Sequence, residues 1–246
     1  MSHRRLFVPR QRIGPGRAQL LASDVHYLRD VLRLALGAEL EVFDGEGGAY
    51  PARLAQEGSG LALTLGPRRE APCPPARVHL GFALARGERC DLVVQKATEL
   101  GVAALSPVEA ARSVVRLDAD RRAERVRRWQ RIAAEAARQC GRADVPAIAA
   151  PAPLGTVMAE APRDFRMLLF HEGGGEPLAD VVERGAAGHL LLVGPEGGFT
   201  PEEVESGIAA GARLATFGPR VLRFETAAIV AVALVQHLVG ALGPDL

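Results

Sequence analysis

One stretch constrains this chain more than any other: Leu190-Leu191-Leu192-Val193-Gly194-Pro195-Glu196-Gly197-Gly198-Phe199-Thr200-Pro201-Glu202-Glu203. Its uninterrupted apolar run, if a strand, is buried. The run ends in a glycine-rich loop, and a helix begins at once with every start signal present. Thr200 and Glu203 form a capping box, and Pro201 takes the first helical position, where its missing N–H costs nothing. Gly194, Gly197 and Gly198 allow positive φ and let the backbone approach a ligand closely. The loop is neither GxGxxG nor a phosphate loop, since no Gly-Lys-Ser/Thr follows, and Glu196 would repel a pyrophosphate. Its backbone donors and acceptors suit a flat heterocycle or a zwitterion. A tight strand-to-helix turn without a ligand is the other open reading.

A second segment repeats the pattern: Leu214-Ala215-Thr216-Phe217-Gly218-Pro219-Arg220-Val221-Leu222-Arg223-Phe224-Glu225-Thr226-Ala227-Ala228. A strand runs into a loop and then into an apolar helix ending near Gly240, with Glu225 placed favourably for the helix macrodipole. Arg220 and Arg223 fall at the carboxyl edge of the expected sheet, where open α/β folds bind ligands. An Arg223–Glu225 pair that merely locks the turn is the alternative. Two such loops from neighbouring strands point to a shared pocket.

Elsewhere the chain divides at Gly66–Pro75, a proline-rich segment that cannot be helix interior or central strand. Before it, alternation at Leu40/Val42, Ala52/Leu54 and Leu61/Leu63/Leu65 predicts a small β-rich domain. That domain carries one short helix, capped by Ser23, running to Leu34 and stopped by Gly37. After it, strands and helices alternate. Strands are expected at Val78–Leu84, Val102–Leu105, Arg166–Phe170, His189–Val193 and Arg213–Phe217. One helix is capped by Asp91 and runs to Leu100. Another spans Ala119–Cys140, with an apolar seam at Val126, Trp129, Ala133, Ala136 and Cys140. This succession predicts a mostly parallel α/β sheet.

Net charge is +1, so the total says nothing about nucleic acid. Lys96 is the only lysine, and the arginine bias alone is not evidence of RNA binding. Cys73, Cys90 and Cys140 are too few and too scattered for a disulfide framework or a zinc site, and no metal is expected. The N-terminus leads into no sustained apolar stretch, and Ala227–Val239 is too short to span a bilayer. A cytoplasmic protein without membrane association is expected.

The two loops, GPEGGF with T-x-x-E and then GPRVLRFETAA, resemble the C-terminal signature of the RsmE family. HYLRDVLRLALG with LEVFDGEGGAYPARL resembles that family's N-terminal PUA-like domain. QKATELGV, ARSVVRLD and RWQRIAAEAARQCGR with VPAI resemble its central blocks, in order, so the likeness covers nearly the whole chain. It implies a PUA-like RNA-binding domain over 1–70 and, over 77–246, a SPOUT-class α/β methyltransferase domain with a C-terminal trefoil knot. Knots break the general rule that chains are unthreaded. The implied activity is S-adenosylmethionine-dependent methylation of N3 of one uridine in 16S rRNA of the small ribosomal subunit, by a homodimer joined through the knot region. The resemblance assigns the cofactor to Leu169, Phe170 and His171; to Gly194, Glu196, Gly197 and Gly198; and to Phe217, Gly218, Arg220, Val221, Leu222, Arg223 and Thr226. Phe224 and Phe217 depart from the family's more usual Thr and Leu, and Gly173–Gly175 loosens the third loop.

Methylating a uracil imide requires its proton to leave. Arg223 or Arg220 is the candidate to stabilise the resulting charge, and Glu225 the candidate proton acceptor. Between Arg112 and Arg142 there are ten arginines against four acids, which reads either as a solvated helix face or as a phosphate-tracking surface. Arg112, Arg116, Arg121 and Arg125 are the RNA-binding candidates there, and Arg4, Arg5, Arg29 and Arg33 on the N-terminal domain. Aromatics are only 4%, so stacking platforms are scarce; Tyr27 reads as core. The alternatives are a non-catalytic RNA-binding ribosome-assembly factor and a SPOUT methyltransferase acting on another RNA.

Overall fold

The alternating strands before the proline-rich segment and the all-apolar runs after it build two separate sheets. The computed structural model describes residues 4–58, 60–72, 74 and 76–242. Two units emerge: Met1–Cys73 with Ala134–Val145, and Pro74–Ala133 with Pro146–Leu246.

The first unit contains β1 (Arg5–Phe7), β2 (Ile13–Gly14), β3 (Arg17–Ala18), α1 (Ala22–His26), β4 (Glu39–Phe43), β5 (Gly48–Glu57), β6 (Gly60–Leu65) and β7 (Arg69–Glu70). The sheet order is β1-β4-β5-β6-β3-β2 with β7 beside β5, antiparallel except for the β1–β4 pair. Leu6, Val8, Leu28, Val42, Leu54 and Leu63 fill its core. The turn into β5 is held by Asp44, whose carboxylate accepts from the Glu46 and Gly48 amides, each at 2.8 Å. Burial pushes the Asp44 carboxyl up, but those amides and Arg68 outweigh it and hold it below its usual range.

Three expectations for this unit are corrected. The helix is capped by Leu21, not Ser23: the Asp24 carboxylate accepts from the Leu21 amide at 2.8 Å. It does not continue to Leu34 as an α-helix but widens into a π turn over Tyr27–Val31, after which Arg33 takes φ +50°. Tyr27 packs on the core, with the Arg138 guanidinium 4.2 Å from its ring centre. Arg5, expected on an RNA-facing surface, is only 4% exposed. Its guanidinium donates to Glu41 at 2.7 Å and to the carbonyls of Ala137 and Arg142 at 3.1 and 2.9 Å, and lies over the Phe43 ring. Arg5 therefore fastens residues 134–145 to the first sheet and has no face left for RNA.

The second unit runs β8 (Arg77–Ala83), α2 (Arg89–Glu99), β9 (Ala104–Val108), α3 (Ala119–Cys140, its last turns in the first unit), β10 (Ala147–Ile148), α4 (Leu154–Ala159), β11 (Phe165–Phe170), β12 (Glu176–Pro177), α5 (Leu178–Val181), β13 (Gly188–Val193), α6 (Pro201–Ala209), β14 (Arg213–Thr216) and α7 (Phe224–Leu238). Its sheet is wholly parallel, in the order β10-β9-β8-β13-β11-β14-β12. All six residues of β13 are buried, as its lack of alternation requires. Each leucine there contributes roughly 1.5–3 kcal/mol by leaving water. β14 lies beyond β11, away from β8, yet α7 packs on β8, β13 and α2. Residues 217–223 thus carry the chain back across the carboxyl edge of the sheet, the return path that a C-terminal knot needs.

Asp91 does not cap α2, which starts after Glu88. Its carboxylate instead accepts from Trp129 Nε1 at 3.0 Å and Arg128 Nε at 2.8 Å, tying α2 to α3. The apolar seam of α3 closes at Ala137, and Cys140 is exposed.

His189 on β13 is fully buried. Its Nε2 accepts from the Glu183 amide at 3.3 Å, and its Nδ1 has no partner among the described residues. Protonation would remove that acceptor and bury a charge, and burial holds His189 and His79 below the ordinary 6.5. The unfolded chain therefore takes up protons first as pH falls. Stability is full above pH 6.5 and declines below it. Urea unfolding at pH 7.5 and 5.5 should show this loss, and His189→Gln should show less of it. Parallel pH profiles for the two proteins would remove His189 as a cause.

Candidate functional site

Because every strand of the second sheet points the same way, β11, β13 and β14 deliver their following loops to one edge. These loops enclose a pocket of about 130 Å³, open on one side. Phe170, His171 and Glu172 form one wall, the Gly194–Gly198 loop a second, and Ala215–Leu222 a third, with Phe224 and Ala227 of α7 at the base. The Phe170 and Phe217 rings stack at 4.6 Å, 12° from parallel.

The glycines are required by space. At Gly194 a Cβ would sit 3.1 Å from the Phe199 ring and 3.2 Å from its amide. Gly198 has φ +67°, and a Cβ there would press on a Glu172 carboxylate oxygen at 3.1 Å. Backbone is therefore the lining at both positions. The capping box forms as expected: the Glu203 amide donates to Thr200 Oγ1 at 3.2 Å and the Thr200 amide to Glu203 at 2.9 Å. Hydrogen bonds from its own amide and from Thr200 hold the Glu202 carboxyl below its usual range, with Arg112 adding to them.

Of the residues assigned to the cofactor, Phe170, His171, Gly194, Glu196, Gly198, Phe217, Gly218, Arg220, Val221 and Leu222 line this pocket. Leu169 is fully buried behind it, and Gly197, Arg223 and Thr226 are exposed outside its lining. Arg223 is the N-cap residue of α7. No Arg223–Glu225 pair forms; Glu225 Oε2 is buried and has no partner among the described residues. Of the expected RNA-binding residues, Arg4, Arg29, Arg33, Arg112, Arg116 and Arg121 are exposed and Arg125 is half-buried.

Sequence reasoning missed what holds the glycine loop. Arg112 Nη1 donates to the Gly197 carbonyl at 2.6 Å, and a second Glu203 oxygen accepts from the Ala111 amide at 2.8 Å. Arg89, at the start of α2, pairs with Glu196. These contacts join residues 85 to 107 apart, and no local pattern announces them. Glu172, Pro195 and Pro219 also line the pocket unforeseen.

Comparisons with known proteins bear on this geometry. The family model described as an RNA methyltransferase domain matches residues 72–236, and that of an RNA methyltransferase PUA domain matches 20–64. Ribosomal RNA small subunit methyltransferase E of Synechocystis is 32% identical over 241 residues, covering 95% of this chain and 77% of the relative. A methyltransferase of Legionella pneumophila, solved with S-adenosylmethionine bound, superposes with a TM-score of 0.86 at 30% identity, covering 96% of this chain and 98% of the other. The ribosomal RNA small subunit methyltransferase E of Neisseria gonorrhoeae, also bound to S-adenosylmethionine, gives 0.84 at 29% identity, with the same coverage of both chains.

A hydrogen bond contributes about 0.5–1.5 kcal/mol net, and an exposed ion pair at most about 1 kcal/mol. Arg112 holds a carbonyl inside the loop, so Arg112→Ala should speed amide exchange in residues 194–199 by about two- to tenfold, and Arg89→Ala by less. Equal protection in both variants would show that Arg112 is not the anchor.

Proposed function

The chain belongs to the RsmE family of RNA methyltransferases, and from that premise we propose that it methylates N3 of one uridine in 16S rRNA of the small ribosomal subunit. It is an S-adenosylmethionine-dependent rRNA methyltransferase. The observation that carries the reading is the pocket built from three loops at one sheet edge, two of them with the GPEGG and LRFETA patterns.

The pocket suits the cofactor on its own terms. Close-packed Gly194 and Gly198 leave backbone as lining, and the stacked Phe170–Phe217 pair supplies an apolar wall. We assign its binding to Leu169, Phe170 and His171, to Gly194, Glu196, Gly197 and Gly198, and to Phe217, Gly218, Arg220, Val221, Leu222, Arg223 and Thr226. When bound, the cofactor supplies a methyl group on a sulfonium, an already activated leaving group. What remains for the protein is to position the acceptor and manage its proton.

Deprotonated uracil N3 spreads negative charge over two flanking carbonyls. Arg220, which lines the pocket, and Arg223, at the start of α7, are the candidate cations to stabilise it. Glu225, with one buried oxygen lacking a partner, is the candidate to take the proton. It is not bound up in an ion pair with Arg223, so its acceptor capacity is free.

A homodimer accounts for the outer side of this region. Val221 is 73% exposed and Leu234, on α7, 42% exposed, and a second copy would cover them. Work on rRNA places the protein in the cytoplasm, and no described helix is long and apolar enough to cross a membrane.

Two outcomes follow. Small subunits from cells lacking the modification, incubated with protein and tritiated S-adenosylmethionine, should acquire label as 3-methyluridine in 16S rRNA. Arg223→Ala should cut that turnover by about a hundredfold, measured at saturating cofactor. Label only in transfer RNA or 23S rRNA would reject the target, and cofactor binding without any transfer would favour a non-catalytic assembly factor. Leu234→Glu should shift the protein from dimer to monomer in sedimentation; a wild-type monomer would rule out the dimer.

A further inference from the structure

A second concavity in the methyltransferase unit lies outside the cofactor pocket. It is an open groove of about 610 Å³ between the start of α2, the strap of residues 115–117 that precedes α3, and one face of α3. Four arginines converge on it from two segments: Arg116 from the strap and Arg121, Arg125 and Arg128 from α3.

The arginines are not equivalent. Arg128 is committed to Asp91, with its Nη2 at 2.5 Å from the carboxylate, and outside the groove Arg122 is committed to Glu109 at 2.7 Å. Arg116 spends one N–H on the Ala111 carbonyl at 3.2 Å. Arg121 has only a loose, exposed pairing with Asp118 at 3.5 Å. Arg125, half-buried in the groove, makes no hydrogen bond or ion pair among the described residues. Three guanidiniums therefore have donors to spare. Glu88 and Glu124 line the same groove and oppose an anion.

We propose that this groove seats phosphates of the RNA backbone beside the target nucleotide, with Arg116, Arg121 and Arg125 as the contacts. The inference rests on the reading that rRNA is the substrate. A guanidinium offers two parallel N–H donors that match a phosphate's oxygens. No aromatic residue lines the groove, so it has nothing to stack a base on and its recognition is of backbone, not sequence. The strap also fixes its location relative to the chemistry. Arg112, four residues before Arg116, bonds the Gly197 carbonyl of the cofactor loop. Four residues span at most about 14 Å. The groove and the loop proposed to receive the cofactor are thereby served by one short segment.

The test measures binding to small ribosomal subunits lacking the modification, as a function of potassium chloride concentration. Arg116→Ala, Arg121→Ala and Arg125→Ala should each reduce the slope of log K against log salt by about 0.7–0.9, one phosphate contact apiece. Glu124→Gln should tighten binding, a change of opposite sign that misfolding cannot mimic. Arg131→Ala, on α3 but outside the groove, should leave the slope at its wild-type value. Wild-type slopes in all three groove variants, with wild-type binding intact, would overturn the groove while leaving the rRNA reading in place. Failure of the wild-type protein to bind or methylate the subunits would overturn both.

Discussion

A loop with glycine at three of five positions cannot hold its own shape, and this chain's chemistry depends on such a loop staying put. Gly194–Gly198 has too few side chains to pack and too much conformational freedom to be rigid alone. Its order is imposed from outside. The capping box fixes where α6 begins, the Arg112 guanidinium fixes the Gly197 carbonyl, and one Glu203 carboxylate serves both its own helix and the Ala111 amide. Of these, the Arg112 bond weighs most, because its charged donor is committed to a backbone carbonyl at short range. The same segment leads four residues later into the arginine groove. On the readings proposed above, rigidity of the cofactor loop and placement of the RNA are properties of one strap.

The sheet makes that arrangement possible. A parallel sheet gathers all its carboxyl ends on one side, so three loops far apart in sequence meet without any of them being long. β13 sits at the centre and is buried throughout, which makes it the least deformable support for the glycine loop. The sheet order then forces the chain after β14 to travel back toward β8 before α7 can pack. Residues 217–223 serve as both crossover and pocket wall, so loosening the return path would also open the site.

What could be read from the sequence was local. The Thr200–Glu203 box, the limits of α3 and the all-apolar β13 follow from patterns within a few residues, and each formed as expected. What could not be read was long-range and polar. Asp91 has the right residue type and position for a helix cap, but Trp129 and Arg128 claim its carboxylate from 37–38 residues away. Arg5 looked like one more surface arginine until residues 137–142 folded over it. The π turn at Tyr27–Val31 has no breaker residue to announce it. Arginines are the hardest case. Arg5, Arg112 and Arg125 are identical in composition, yet one is a buried fastener, one a loop anchor and one an unpaired cation. Only the partner decides, and partners are not written locally.

The start of α7 shows why that distinction matters for reactivity. Had Arg223 and Glu225 paired, each would have satisfied the other, leaving no free acceptor and a cation already neutralised. Instead Arg223 stands exposed at the N-cap and Glu225 keeps a buried oxygen without a partner. An unsatisfied acceptor at that depth is costly to keep for stability alone. On the reading proposed above, an imide N–H would supply the donor that this oxygen lacks, and the deprotonated substrate would supply the charge that Arg223 lacks as a partner. The two groups would then serve opposite ends of one proton transfer, which they could not do if they satisfied each other.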